Sequence, residues 1–367
     1  MRFDLVNDAS PHAGNKRFPN RQTGLGGPMT TVFERYSTKF LTPLLVGAAL
    51  VAANVPTHGQ DAPVNLTIGS FQQGSSWYVY AVNLAELLQD ELPSGSTIDS
   101  PPIAGGVGNP ALVSKGRADL AFGMAVVGSW ALEGKHAYEE PLGNLRALVG
   151  GWDQYYLVPL ARGGDVDSEL GGYLKTHTEA NVTLLRRGSI GSFGGEQLLN
   201  IAGAGEDELT SSGGSYEFGS FDMVKSRFAS GSGDVFVQVG TRGHPGITEI
   251  AQTTPSTFLE PSQEILASMR ENYGWQVATL PSGTFPGQDE DVDLPGTTTT
   301  LFTSTEMSDD LAYKIVKTIC ENTERLKQAH KALSDFSCEN GAWKMENNGL
   351  PLHAGAERYY REQGWLN

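Results

Sequence analysis

The chain has 367 residues, a formal charge of −16, 39% hydrophobic and 19% charged residues. That length suits two α/β lobes of roughly 100–200 residues each, and the balance excludes a disordered or fibrous chain. The net negative charge argues against nucleic acid or an anionic membrane surface as partner, yet leaves room for a small anion, because helix N-termini can make a pocket locally positive.

Residues 1–28 are polar, rich in Gly and Pro and without periodicity, and read as a disordered leader. Met29 is a candidate true start; it precedes a basic stretch with Arg35 and Lys39, an apolar run from Phe40 to Val55, and small residues around Thr57 and Gly59. This is the layout of a secretory signal peptide cleaved near Gly59. The alternative is a retained N-terminal anchor, although the run is short for a membrane span and carries Pro43.

Val64–Gly69 predicts a strand, Ser70–Ser76 a Gly/Ser loop, and Trp77–Leu88 a helix with apolar residues at helical spacing and a serine N-cap. Ala118–Met124 predicts a buried strand, and Leu145–Ala161 a pair of strands broken at Gly150–Gln154. The strand–loop–helix pattern returns at Val182–Arg186, Gly188–Gly195 and Glu196–Ala202. Each such junction presents unpaired N–H groups, serine hydroxyls and the positive end of a helix dipole, which suits a carboxylate or phosphate. Asp234–Val239 is a further strand, followed by a helix opened by Pro245. Gly203–Ser215 and Ser282–Gly296 read as polar loops, Met307–Ala332 as one long amphipathic helix, and Ala356–Gln363 as a short one. Strands alternating with helices imply α/β with largely parallel sheets, whose ligands sit beyond the C-terminal strand ends.

Other chemistries find little local support. Gly188–Gly194 runs Gly-x-x-Gly-x-x-Gly without a P-loop Lys-Ser/Thr, so nucleotide binding is disfavoured even with Asp207 downstream. Either of Arg186 and Arg187 can reach a ligand carboxylate or stay solvated. No His-Glu-x-x-His or Gly-x-Ser-x-Gly signature appears in the sequence; Ser189, His244 and Asp234 form one conceivable nucleophilic set. Neither metal nor cofactor is expected. Cys320 and Cys338 either pair or remain free thiols.

Several segments, in order, resemble TAXI-family solute-binding proteins of TRAP transporters. They include Gly74-Ser-Ser-Trp-Tyr78, Gly105-Gly-Val-Gly-Asn109, Gly116-Arg-Ala-Asp-Leu-Ala-Phe122, Asn144-Leu-Arg-Ala-Leu148 and Gly188–Gly194. The most specific stretch ends at Pro351-Leu-His-Ala-Gly-Ala-Glu-Arg-Tyr-Tyr-Arg-Glu-x-Gly364. The resemblance implies a type II periplasmic-binding-protein fold, two α/β lobes joined by two crossover hinge strands near Tyr155–Leu160 and Thr257–Ile265. It implies lobe 1 at 61–157 and 260–367 and lobe 2 at 158–259, with 1–60 as leader and signal peptide. It further implies a monomeric, periplasmic, non-enzymatic protein that captures a small organic anion, an amino acid or carboxylate, and delivers it to membrane permease subunits.

The ligand shell carried over is Gly74, Ser75, Ser76 and Tyr78, with Gly106 and Asn109, Ser189 and Ser192, and Gly240; Trp77 is a candidate wall. Where the family commonly has Gln-Ser-Asp, this chain has Met124-Ala125-Val126, which places Met124 in the shell and predicts a less polar acid than glutamate. A ligand sensor of a signalling system, or a cleft enzyme, is the alternative on the same fold.

Overall fold

The computed structural model describes residues 62–102 and 105–366; the leader, Met29 and the cleavage zone near Gly59 lie outside them. In chain order the elements are β1 (Asn65–Gly69), α1 (Ser76–Glu91), β2 (Thr97–Asp99), α2 (Gly108–Ser114), β3 (Leu120–Met124), α3 (Ala125–Glu133), β4 (Leu145–Val149) and β5 (Gln154–Arg162). Then come α4 (Leu170–Thr176), β6 (Asn181–Leu185), α5 (Ile190–Ile201), α6 (Glu206–Ser211), β7 (Ser215–Gly219), α7 (Phe221–Ser230), β8 (Val235–Thr241), α8 (Pro245–Thr253) and β9 (Ser256–Phe258). The chain closes with α9 (Gln263–Tyr273), β10 (Gln276–Leu280), β11 (Val292–Ser304), α10 (Asp309–Glu321), α11 (Thr323–Ala329), a 3-10 turn at Lys331–Leu333, α12 (Met345–Asn348) and α13 (Ala354–Glu362).

The strands fall into two groups with one repeated order. In the first, β2, β1 and β3 run parallel and β11 lies antiparallel beside β3. In the second, β7, β6 and β8 run parallel and β5 lies antiparallel beside β8. Two strands are shared: β5 and β11 pair with each other through Gln154–Tyr156 and Thr298–Gly296. The α/β architecture is therefore the type II periplasmic-binding-protein arrangement expected from the sequence.

β5, which holds the first expected crossing, pairs with strands of both groups. The segment of the second expected crossing holds β9 and the start of α9. β9 is three residues long and pairs only with β5, whereas β11 pairs with β3, β4, β5 and β10. β11 begins inside the expected polar loop and continues through Thr297–Thr300, a β-branched run that fits a pleated, packed surface. Nearly every residue of β11 is buried, so it lacks the polar/apolar alternation that marks a half-exposed strand.

Cores form on both groups. Ile68, Tyr80, Leu84, Leu120, Phe122 and Ile315 anchor a large apolar cluster, and Val158, Phe228, Phe236, Leu280, Phe285 and Leu294 a second. Each fully buried aliphatic side chain contributes about 1.5–3 kcal/mol. β10 and the first part of β11 thus pack with β5 and β8, whereas the later part of β11 pairs with β3 and β4. The long C-terminal helix is two, α10 and α11, separated at Asn322. A disulfide joins Cys320 to Cys338 across a sequence separation of 18, which settles the pairing left open above. Among the described residues, no helix is long and apolar enough to cross a membrane.

Candidate functional site

The start of α1 is fixed by local chemistry. Ser75 is extended and its hydroxyl accepts the backbone N–H of Tyr78, a standard N-cap. Trp77, Tyr80, Ala81 and Leu84 then form the buried stripe, following the i, i+3, i+4, i+7 rule. Trp77 donates its indole N–H to Thr299 Oγ1 at 2.9 Å, and Thr299 on β11 lies opposite Met124 on β3. The backbone N–H of Val126, in the first turn of α3, donates to Thr297 Oγ1 at 3.2 Å. Trp77, Met124 and the threonines of β11 therefore meet at the junction of the two strand groups.

Asp153 enters the same junction just before β5. It is 6% exposed. Tyr80 donates its hydroxyl to Asp153 Oδ2 at 2.8 Å, while Oδ1 has no hydrogen-bond partner. Such an orphan acceptor is uncommon in a buried setting. Burial pushes the Asp153 carboxyl up to about 6, against the polar groups of Thr299 and Tyr80 beside it, which favour the charged form. Burial, together with the nearby Asp153 charge, drives the hydroxyls of Tyr80 and Tyr155 well above the usual phenol range.

The C-terminal segment closes over these residues. His330 Nε2 lies 3.4 Å from Ser76 Oγ, and its ring meets Tyr80 edge-on at 5.4 Å. His330 Nδ1 accepts the Ala332 N–H. In the neutral imidazole the proton is then on Nε2, so His330 is not placed to take a proton from Ser76. Phe336 stacks on Trp152 at 4.9 Å. Arg242, just beyond β8, pairs with Asp335. A cavity of about 240 Å³ lies here, with Trp152, Asp153, Gln154, Arg242, Thr298 and Asn347 among its walls. A larger groove, about 610 Å³, lies elsewhere, against the outer face of α1, and Arg325 on its wall is already paired with Glu86 and Asp90.

The remaining candidates from the sequence divide by place. Ser76 and Trp77 flank the junction through His330 and Thr299, and Gly240 lies opposite Tyr156 on β5, inside β8 and not in a loop. Tyr78 lines the outer groove, being rotated off the Trp77–Tyr80 stripe. Gly74 is exposed with φ +86°, and Gly106 has φ +50°, both turn positions. Asn109 is fully buried and committed: its amide donates to Ser70 O and Phe122 O, both at 2.7 Å, and its Oδ1 accepts the Gly105 N–H at 2.8 Å.

Ser189 and Ser192 belong to the start of α5. Ser189 caps the helix by accepting the Ser192 N–H, and the buried Ser192 hydroxyl returns a bond to Ser189 O at 2.9 Å. The glycine-rich stretch expected as a loop is mostly the first turns of α5. Its glycines serve close approach: a Cβ on Gly191 would lie 1.8 Å from Gln238 Oε1, and one on Gly194 would lie 2.9 Å from both Leu157 and Trp275. Arg187 pairs with Glu196 and Glu206 and lies over the Phe218 ring.

The nucleophilic set Ser189, His244 and Asp234 is not assembled. Asp234 is held before the first residue of β8 by Arg162 and Asn181, whereas His244 caps α8 beyond the other end of that seven-residue strand, about 20 Å away. Sequence reasoning missed Asp153, Thr299, His330 and Arg242. The one available signal was an acid in the Gly150–Gln154 break between two apolar strands.

A model of the NMT1-like family matches residues 68–364. No curated protein matches the sequence. Among solved structures, MatC from Rhodopseudomonas palustris with bound malate is similar at 14% identity and TM-score 0.47, covering 83% of this chain and 98% of that one. PhnD1 from Prochlorococcus marinus in complex with methylphosphonate is similar at 13% identity and TM-score 0.47, covering 83% and 97%. The periplasmic binding protein BugD is similar at 13% identity and TM-score 0.46, covering 83% and 98%.

Proposed function

The chain belongs to the NMT1-like family, and from that premise we propose that it is the extracytoplasmic solute-binding subunit of a TRAP-type secondary transporter. It holds a small organic acid between its two strand groups and delivers the acid to membrane permease subunits. The observation that carries this reading is the topology: two groups of parallel strands with one order, sharing β5 and β11, with a cavity at their junction. Ligands of open α/β sheets gather beyond the C-terminal strand ends, where the loop before α1, Met124 and Arg242 lie. The two shared strands are the natural hinge for lobe closure, the closed state being favoured by whatever contacts the solute makes on both sides.

In this reading the lobe boundaries shift from those of the sequence. Residues 260–297 go with the second lobe, because Leu280, Phe285 and Leu294 pack with Val158 and Phe236. Ser76, Trp77, Met124 and Gly240 stay in the proposed shell, joined by Asp153, Thr299, His330 and Arg242. Ser75, Ser189, Ser192 and Asn109 support it by capping helices and holding loops.

The test is thermal unfolding of the purified protein against carboxylic acids, amino acids and sugars. A ligand at 100 times its Kd adds about 2.7 kcal/mol to the folded state, a rise of several degrees. A response confined to organic acids or amino acids is expected. Absence of any response, or turnover of a bound compound, overturns the reading.

A further inference from the structure

The segment from Cys320 to Cys338 is tied at its base by their disulfide and carries α11, the 3-10 turn and Asp335. It is attached to the first strand group along its length. Arg325 of α11 pairs with Asp90 of α1, His330 Nε2 lies 3.4 Å from Ser76 Oγ with its ring edge-on to Tyr80, and Phe336 stacks on Trp152. Toward the second group the attachment is different in kind. Among the described residues, the one ion pair or hydrogen bond from this segment to that group joins Asp335 to Arg242, just beyond β8. Ala332, Asp335 and Ser337 belong to the lining of the 240 Å³ cavity, and so does Arg242. A strap fixed to the first group therefore runs along that cavity and is fastened to the second.

We infer that the Arg242–Asp335 pair is a latch: it fastens the two strand groups across the cavity and must break for them to part. Its purpose rests on the solute-binding reading above, since parting the groups is what admits a solute; its existence does not. The two side chains are 45% and 73% exposed. Such a pair is weak and screened by salt, and it parts into water, so neither charge is stranded in the interior as it would be in a buried pair. Asp335 also occupies the guanidinium fork that an anionic solute would use. A solute reaching that wall displaces Asp335, which couples its arrival to release of the latch. The disulfide limits how far the strap then travels. Asp335 lies three positions before Cys338, so the carboxylate stays near Arg242 and refastening needs no long loop to close.

The experiment is amide hydrogen exchange on the full chain without any ligand, in low salt and in 1 M NaCl, for wild type, Asp335→Asn, Arg242→Gln and the double variant. The peptides read are 70–80 and 149–156, which line the junction and carry neither substitution; 181–219 reports general stability. In low salt each single variant is expected to exchange about 1.4- to 5-fold faster than wild type at 70–80 and 149–156, as loss of an exposed ion pair gives, with 181–219 unchanged. The double variant adds nothing further, and 1 M NaCl removes most of the difference. Unchanged exchange in low salt overturns the inference. So does an equal acceleration of 181–219, which marks general destabilisation, or additive effects in the double variant, which mark two unrelated side chains. The measurement needs no solute, so a thermal screen in which nothing binds removes the solute-binding reading and leaves the latch to be judged by exchange alone.

Discussion

Replacing Asp153 by asparagine removes a carboxyl that titrates at about 6 in the folded protein instead of its ordinary 3.8. A folded-state pKa raised above the unfolded one means that the native protein holds the proton longer. The stabilisation is therefore complete below the unfolded pKa and is lost as pH rises through the folded one. With those two values the carboxyl contributes about 1.4 kcal/mol at pH 5 and almost nothing at pH 8. Urea unfolding at both pH values, on wild type and Asp153→Asn, reads this as a difference of differences. The wild type should lose about 1.4 kcal/mol more than the variant between pH 5 and 8, or about 2 °C in Tm for a chain of this size. Four histidines whose pKa burial lowers, His136, His244, His330 and His353, act in the opposite direction, but equally in both proteins, and cancel. The fixed cost of seating an amide against Tyr80 cancels as well, being independent of pH. Equal pH slopes in the two proteins would refute the claim that Asp153 is buried without a counter-charge.

Three further outcomes follow from the packing. The double substitution Cys320→Ser and Cys338→Ser opens a loop with a sequence separation of 18 and should cost about 3 kcal/mol in urea unfolding; reductant should reproduce the loss in wild type. Asn109→Ala strands Ser70 O, Phe122 O and the Gly105 N–H and should destabilise by about 3 kcal/mol or more, seen as a fall in Tm without any ligand present. Gly194→Ala places a methyl 2.9 Å from both Leu157 and Trp275 and should cost about 1–3 kcal/mol, with a blue or red shift of tryptophan emission as Trp275 is displaced.

What the sequence revealed was local. Ser75 and Ser189 cap helices as their position before apolar-periodic runs suggests, and the parallel strands β1, β3, β6 and β8 are apolar segments bounded by polar or small residues. What it hid was set by distant neighbours. The glycines of Gly188–Gly195 read as loop because glycine weakens a helix by about 1 kcal/mol; Gly191 and Gly194 nonetheless sit in α5, where Gln238, Leu157 and Trp275 leave no room for a side chain. β11 escaped because both its faces are covered. Asp153 looked like a turn residue. Its character comes from Tyr80, 73 positions earlier, and from burial that no local pattern records.

The contacts that build the junction also have consequences for biosynthesis. Trp77 waits for Thr299, 222 positions later, and Ser76 for His330, 254 positions later. A chain emerging from its N-terminus can form β1, α1 and β3, but β3 keeps a bare edge until β11 arrives. Such an edge invites pairing with other chains, and at about 5–20 residues per second the wait is of order ten seconds or more. Completion of the first strand group is thus deferred until most of the chain exists. For an extracytoplasmic subunit of the kind proposed, threaded across a membrane before it folds, that delay is useful, because an early-closing lobe would have to be pulled apart again.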